Sequence, residues 1–280
     1  MRVQISIWVA LVVFFSACNK HSAQGGSKVA ISDEGFKTPE SYNGYQLVWR
    51  DEFDKEIDKL SWTFEIGRGH NGWGNNELQY YTDQNATVQD GYLIITAKKE
   101  DVRGAEYSST RMITKGKKEF TFGRIDIRAK IPEGQGVWPA LWMLGANIDS
   151  VGWPASGEID IMEVVGHEAN KVYGTMHWGP HHTQHKSKGN FKILGTGKFS
   201  DKFHVYSLLW KPDEINVLVD DEVYFTFTRA DAGDDPYPFN SPHYLLFNVA
   251  VGGNWPGSPD ASTVFPQHMI VDYVRVFQPQ

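Results

Sequence analysis

The sequence predicts an all-β fold, a β-sandwich jelly roll of two antiparallel sheets with a substrate cleft on one of them. Three observations carry this. Short strand signals recur from about residue 45 onward with Gly, Pro and Asn turns between them. No amphipathic helix longer than a couple of turns interrupts them, and strands do not alternate with helices. At 280 residues, 41% hydrophobic and 22% charged, the chain has length for one substantial domain.

In chain order, residues 1–18 come first: "MRVQISIWVALVVFFSAC" has one Arg, an apolar run and then small residues, the pattern of an export signal. The run is too short to span a bilayer as a mature helix. Cys18, the only cysteine, follows Ser16 and Ala17, and the segment resembles a bacterial lipoprotein signal, with Phe15 where Leu is usual. Lipidation of Cys18 is therefore expected, placing the protein at the bacterial cell envelope with no other membrane contact; the alternative is plain secretion. No disulfide can form in the folded part. Residues 19–41 are polar and Gly/Ser-containing, as in a flexible linker spanning roughly 25 Å. Residues 42–280 make the catalytic β-sandwich domain, expected as a monomer.

Within that domain "GRIDIRAKIP" alternates: Ile125, Ile127, Ala129 and Ile131 face a core, while Arg124, Asp126, Arg128 and Lys130 form a wet side. "GYLIITAKK", "FHVYSLLW", "HYLLFNVAV" and "MIVDYVRVFQ" read as further strands, and "LVDDEVY" as a hairpin crossing at Asp220 and Asp221. In "GVWPALWML", Trp138, Ala140, Trp142 and Leu144 share one parity, and Pro139 suggests an edge or bulged position. The two indoles either floor a groove, where they would stack on sugar rings, or fill the core.

The stretch "GEIDIMEVVG" carries the chemistry. As a regular strand it puts Glu158 and Asp160 on one face, Ile159 and Ile161 on the other, and Glu163 wrongly among the core residues. An ionised carboxylate buried there without a partner would shift its pKa or unfold the strand. One extra residue at Ile161 or Met162, a β-bulge, returns Glu163 to the groove and aligns all three acids. Such a row suits retaining glycoside hydrolysis, in which two carboxyl groups about 5–5.5 Å apart serve as nucleophile and acid/base. Asp160 between them would raise the pKa of the group acting as acid. A solvated edge strand or a cation site are the other readings of the row. The net charge of -7 and the lack of a basic stripe argue against a nucleic-acid partner.

The motif "WPASGEIDIMEVVG" resembles the bulged Glu-x-Asp-x-x-Glu signature of glycoside hydrolase family 16, in its bacterial laminarinase branch. "DEFD" at Asp51, "GWGNNELQYYT", "GVWPALWMLG", "GTMHWG", "NVAVGGNWPG" and "VDYVRVF" follow in that family's order and extend the likeness over roughly residues 45–280. The resemblance implies a jelly-roll enzyme that cleaves β-1,3-glucan internally with retention. Glu158 would be nucleophile, Glu163 acid/base and Asp160 the assisting acid, with no organic cofactor. It also implies that His177 lies beside the carboxylates, and that a structural calcium could sit on the convex side on Glu52, the Gly91 carbonyl and Asp272. Asp272 interrupts an apolar parity with Ile270, Val274 and Val276, as a liganded acid would.

Further substrate contacts are expected from Trp255, Asn248 and Asn254 in the Gly-rich "NVAVGGNWPG", and from Trp73, Asn75 and Asn76 across the cleft. Arg111 either bonds sugar hydroxyls or makes a surface salt bridge. His181, His182 and His185 in "HHTQHKSKGN" lack the spacing of a known metal site and are expected in a solvated loop. The competing functions are hydrolysis of mixed-linkage glucan, agar or carrageenan on the same row, and carbohydrate binding without catalysis.

Overall fold

The computed structural model describes residues 28–280, so Cys18 and its signal lie outside the described residues. Of the unit Met1–Ile31 only residues 28–31 are described, without regular structure, and Ser32–Gln280 forms the second unit. In that second unit, alternating sequence and frequent turns produce two sheets. The sheet that carries the cleft has the order Lys186–Ile193, Lys171–Trp178, Glu158–Glu163, Val137–Gly145, His243–Val251, Arg111–Ile113, Thr63–Glu65. The opposite sheet runs Glu222–Thr228, Glu214–Val219, His204–Lys211, Gly123–Lys130, Gln267–Pro279, Tyr92–Val102, Ala105–Ser109, Gln79–Tyr81. Pairing is antiparallel apart from Gln79–Tyr81, which lies parallel to Ala105–Ser109. Among the described residues no helix is long and apolar enough to cross a membrane.

The core lies between the sheets. Ile125, Ile127 and Ala129 from one sheet meet Leu141, Met143, Ile159, Phe247 and Val249 from the other in one buried cluster. Period-2 alternation produces this packing, since every second residue of each strand points inward. The hairpin between Glu214–Val219 and Glu222–Thr228 turns at Asp220 and Asp221, which both adopt positive φ (52° and 65°), as a two-residue turn of the primed type requires.

Three expectations need correction. The 19–41 segment is not linker to its end: from Asp33 it is docked on the face of Gly123–Lys130 that points away from the core. Phe36 N donates to Phe203 O (3.0 Å), and Gly35 pairs with Phe203 so closely that a Cβ there would strike the Phe203 carbonyl. For the same reason that face is not wet, and Arg124, Asp126 and Arg128 are all buried. Arg128 donates to Phe36 O (2.7 Å), Asp33 O (2.7 Å), Asp33 Oδ1 (2.6 Å) and Asp272 Oδ2 (2.6 Å), while Tyr42 Oη donates to Asp126 (2.7 Å). Charged residues alternate there because protein groups satisfy them, Arg124 through Asp126 (2.7 Å) and Asp221 and the other two with help from the strap, not because water does. Finally, Pro139 is in an interior strand. Its carbonyl accepts from Val164 N (3.3 Å), so its missing N–H faces the same neighbour at the point where that pairing ends.

Candidate active site

The bulge is where parity demands it. Ala140 pairs with Glu163 and Leu141 with Met162, but Trp142 pairs with Asp160, so Ile161 has no partner on that side. On the other side Asp160 faces Thr175 and Glu163 faces Tyr173, three residues against two. Ile161 and Met162 both stay buried, and Glu158, Asp160 and Glu163 all line one cleft of about 650 Å³. Behind the bulge, Gly174 leaves room for Tyr224 from the opposite sheet; a Cβ at Gly174 would come within 2.8 Å of the Tyr224 hydroxyl.

Each carboxylate has its own donor. Trp153 Nε1 donates to Glu158 Oε2 (2.9 Å) and Trp138 Nε1 to Glu163 Oε1 (3.0 Å). His177, opposite Glu158 on the neighbouring strand, brings Nε2 to 3.1 Å from Asp160 Oδ2 and 3.7 Å from Glu158 Oε1. Burial, followed by the charge of Asp160, pushes Glu158 up to about 7, against the pull of His177, Trp153 and Arg111. The same two causes push Glu163 well above the carboxylate range, opposed by His177 and the Trp138 N–H, with the charge of Glu158 pushing it further up. Burial opposes the charge of His177, but Asp160, Glu158 and Glu163 outweigh it and push the imidazole up to about 9. Burial and the charge of Asp160 thus hold both glutamates above the ordinary carboxylate range.

The parity of "GVWPALWML" is resolved in favour of the groove: Trp138, Ala140, Trp142 and Leu144 face the cleft, and Leu141 and Met143 face the core. Trp142 Nε1 donates to Asn248 Oδ1 (2.7 Å), and Asn248 Nδ2 to Tyr81 Oη (3.1 Å). Trp255 stands edge-on to Trp138 (5.5 Å, 89°) and to Tyr173 (4.9 Å, 75°). Trp73, Asn75 and Arg111 also line the cleft. Arg111 lines the cleft while making a salt bridge, since it pairs with Glu65 and lies between the rings of Trp73 (4.6 Å) and Trp142 (4.8 Å). Asn76 and Asn254 are not in the cleft lining; Asn76 Nδ2 donates to Asn254 Oδ1 (2.8 Å), tying the two loops together.

His181, His182 and His185 lie in an exposed loop as expected, but His182 and His185 also line the cleft beside Trp153, whereas His181 stays outside its lining. Residues missed in the sequence are Trp153, Glu77, Tyr173 and Thr175. Tyr173, Thr175 and His177 were legible, as they alternate on one face of Lys171–Trp178. Glu77 had no such signal: it is a buried acid that accepts from Asn75 (3.2 Å), Gln79 (2.7 Å) and Tyr81 (3.1 Å), and so orders the loop carrying Trp73.

The residues expected to hold calcium do not fit a cation. Both Glu52 oxygens accept from Arg275 (2.7 and 2.9 Å), and Asp272 accepts from Arg128 (2.6 Å). Gly91 only completes the turn before Tyr92–Val102, with φ of 84°. Two acids already matched to separate guanidinium groups leave no shared oxygen cage.

The family model for "Glycosyl hydrolases family 16" matches residues 74–274. A protein named beta-glucanase from Rhodothermus marinus is 42% identical over 267 residues, covering 90% of this chain and 91% of its own. A glucan endo-1,3-beta-glucosidase A1 from Niallia circulans is 41% identical over 88% of this chain, which spans only 40% of that relative's length. Among solved structures, the laminarinase catalytic domain of Thermotoga maritima MSB8 superposes with a TM-score of 0.80 at 46% identity, covering 84% of this chain and 99% of that one.

Proposed function

The chain belongs to the glycosyl hydrolases family 16, and from that premise we propose that it is an endo-β-1,3-glucanase of laminarinase type that retains anomeric configuration. The observation that carries the assignment is the geometry of the row: Glu158 and Glu163 face one cleft on either side of Asp160, each held by its own indole N–H. Glu158 is the nucleophile and Glu163, which burial and neighbouring charges push well above the carboxylate range, is the acid. In the first step the Glu163 proton passes to the glycosidic oxygen, the C1–O bond breaks, and a Glu158 oxygen bonds to C1. In the second, water attacks C1, Glu163 takes its proton, and the bond to Glu158 breaks. His177 Nε2 stands 3.1 Å from Asp160 Oδ2, beside Glu158, in both steps. Two carboxyl groups and water supply every atom, so no cofactor enters.

The indoles of Trp138, Trp142 and Trp255 line the cleft and offer faces for glucose rings. Purified enzyme with laminarin, lichenan, agarose and carrageenan, scored by reducing ends, tests the substrate class. Glu158→Gln and Glu163→Gln are expected to lower kcat about 10²–10⁴-fold on laminarin. Wild-type rates in both variants, or activity on agarose but not laminarin, would overturn the assignment.

We also propose export with lipidation at Cys18, on the sequence of residues 1–18. Cys18→Ala is expected to release the protein from the membrane fraction. A monomer is proposed as well, and its mass in solution decides.

A further inference from the structure

His185 touches the machinery without belonging to the row. We propose that His185 is a positioning residue whose Nε2 accepts the Nδ1–H of His177 and so fixes the imidazole that faces Asp160 and Glu158. The inference rests on the roles of Glu158 and Glu163 proposed above. His177 Nδ1 and His185 Nε2 are 2.8 Å apart, and the two rings are nearly parallel (13°, centroids 5.1 Å), as expected when one hydrogen bond lies in both ring planes. His185 in turn packs on Trp153 at 4.5 Å, and Trp153 is the indole whose N–H holds Glu158. One aromatic thus supports both the nucleophile and the residue behind its histidine.

The backbone fixes His185 in place. Its N–H donates to His182 O (3.3 Å) at the end of a short 3₁₀ turn, and the register Trp178↔Lys186 begins immediately after it. Gly179 allows the return: with φ of 132° it lies so close to the Gln184 carbonyl that any side chain would collide with it.

Charge decides the direction of the bond. Only neutral His185 with its proton on Nδ1 can accept at Nε2, whereas a cationic His185 would set N–H against N–H. His177 is surrounded by Glu158, Asp160 and Glu163 from the carboxylate strand, which hold its charge. His185 sees the opposite: burial, then the positive charge of His177 and of His182, push it down. The other charged groups facing the pair are Arg111, whose charge reaches Glu158, and Lys186, which is paired with Asp235 at 2.5 Å. The shared proton therefore stays on His177, which donates from both nitrogens. Without its acceptor the His177 ring is free to rotate away from the carboxylates, and Glu158 loses part of the charge that keeps it ionised.

The test uses the full chain with laminarin. His185→Phe keeps a ring on Trp153 but removes the acceptor, and His185→Gln restores an acceptor oxygen. We expect His185→Phe to lower kcat/KM about 10-fold at pH 6, to move the acid limb of the pH profile upward, and to shift the His177 ¹⁵N resonances. His185→Gln is expected to recover most of the rate and the wild-type limb. An unchanged limb and unchanged His177 resonances in a folded His185→Phe would overturn the inference, as would a His185→Gln no better than Phe. Glu158→Gln run in parallel separates the two levels: if it is inactive while His185→Phe is normal, only the role of His185 fails. If Glu158→Gln is itself active, the reading of the row fails.

Discussion

Glu163 is the cross-strand partner of Ala140 although Asp160, three residues earlier, is the partner of Trp142, two residues away along the other strand. The unmatched residue, Ile161, is what turns three acids of mixed parity into one row. Deleting Met162 leaves Glu158, Asp160 and Glu163 at even spacing, which an unbulged strand presents on one face. The shortened enzyme is expected to stay folded and to hydrolyse laminarin well above the rate of Glu163→Gln. A rate equal to that of Glu163→Gln would mean that the bulge supplies more than parity.

The pH–rate profile is expected to be bell-shaped. Activity rises as Glu158 ionises around 7 and falls at higher pH as Glu163 loses its proton. Because the groups interact, the two limbs belong to the row as a whole. A profile already flat at pH 5 would contradict this electrostatic assignment.

Trp153→Phe removes the N–H that helps hold Glu158 ionised. The acid limb of kcat/KM is expected to move to higher pH, with about a 10-fold loss at pH 6 for a charge-assisted hydrogen bond of this kind. Trp138→Phe acts at Glu163 instead, so it is expected to move the alkaline limb upward. If both variants move the same limb, the indoles do not act one per carboxylate.

Glu158 trades stability for function. Its pKa rises from 4.5 to about 7 on folding, so its neutral form favours the fold at low pH and that contribution is lost as pH climbs through 7. Glu158→Gln is therefore expected to gain stability relative to wild type between pH 5 and pH 8, by up to about 3 kcal/mol. Thermal melts of the two proteins at both pH values measure it, and a pH-independent difference would show that ionisation is not the cause.

A chain starting at residue 42 loses Asp33 and the Phe36 carbonyl, leaving the buried Arg128 with Asp272 alone. Leaving a buried charge underpaired costs about 3 kcal/mol. Urea unfolding of chains starting at residues 32 and 42 is expected to show that difference. Equal midpoints would mean the strap contributes nothing. Laminarin hydrolysis by the folded fraction is expected to survive, since the cleft lies on the other sheet.

Much of the site was legible because strands expose a simple code. The period of two assigned Ile159 to the core and put Trp138 and Trp142 on one shared face, and its violation at Glu163 located the bulge. The same code misled at Asp126 and Arg128, where alternation of charge looked like solvent but was matched by a strap some 90 residues earlier in the chain, and at Arg124, which pairs with Asp126 and Asp221. Glu52 and Asp272 failed for a related reason, since an acid suited to a cation is equally suited to a guanidinium.

The sequence by itself determined the two-sheet fold and the row Glu158–Asp160–Glu163, because these follow from local periodicity and the cost of burying charge. Only the tertiary structure decided which side of Val137–Gly145 faces the cleft, which indole holds each glutamate, what His185 touches and where the N-terminal segment docks. Those outcomes depend on distances between residues remote in sequence, such as Trp153 to His185 and Asp33 to Arg128, and no local pattern encodes such distances.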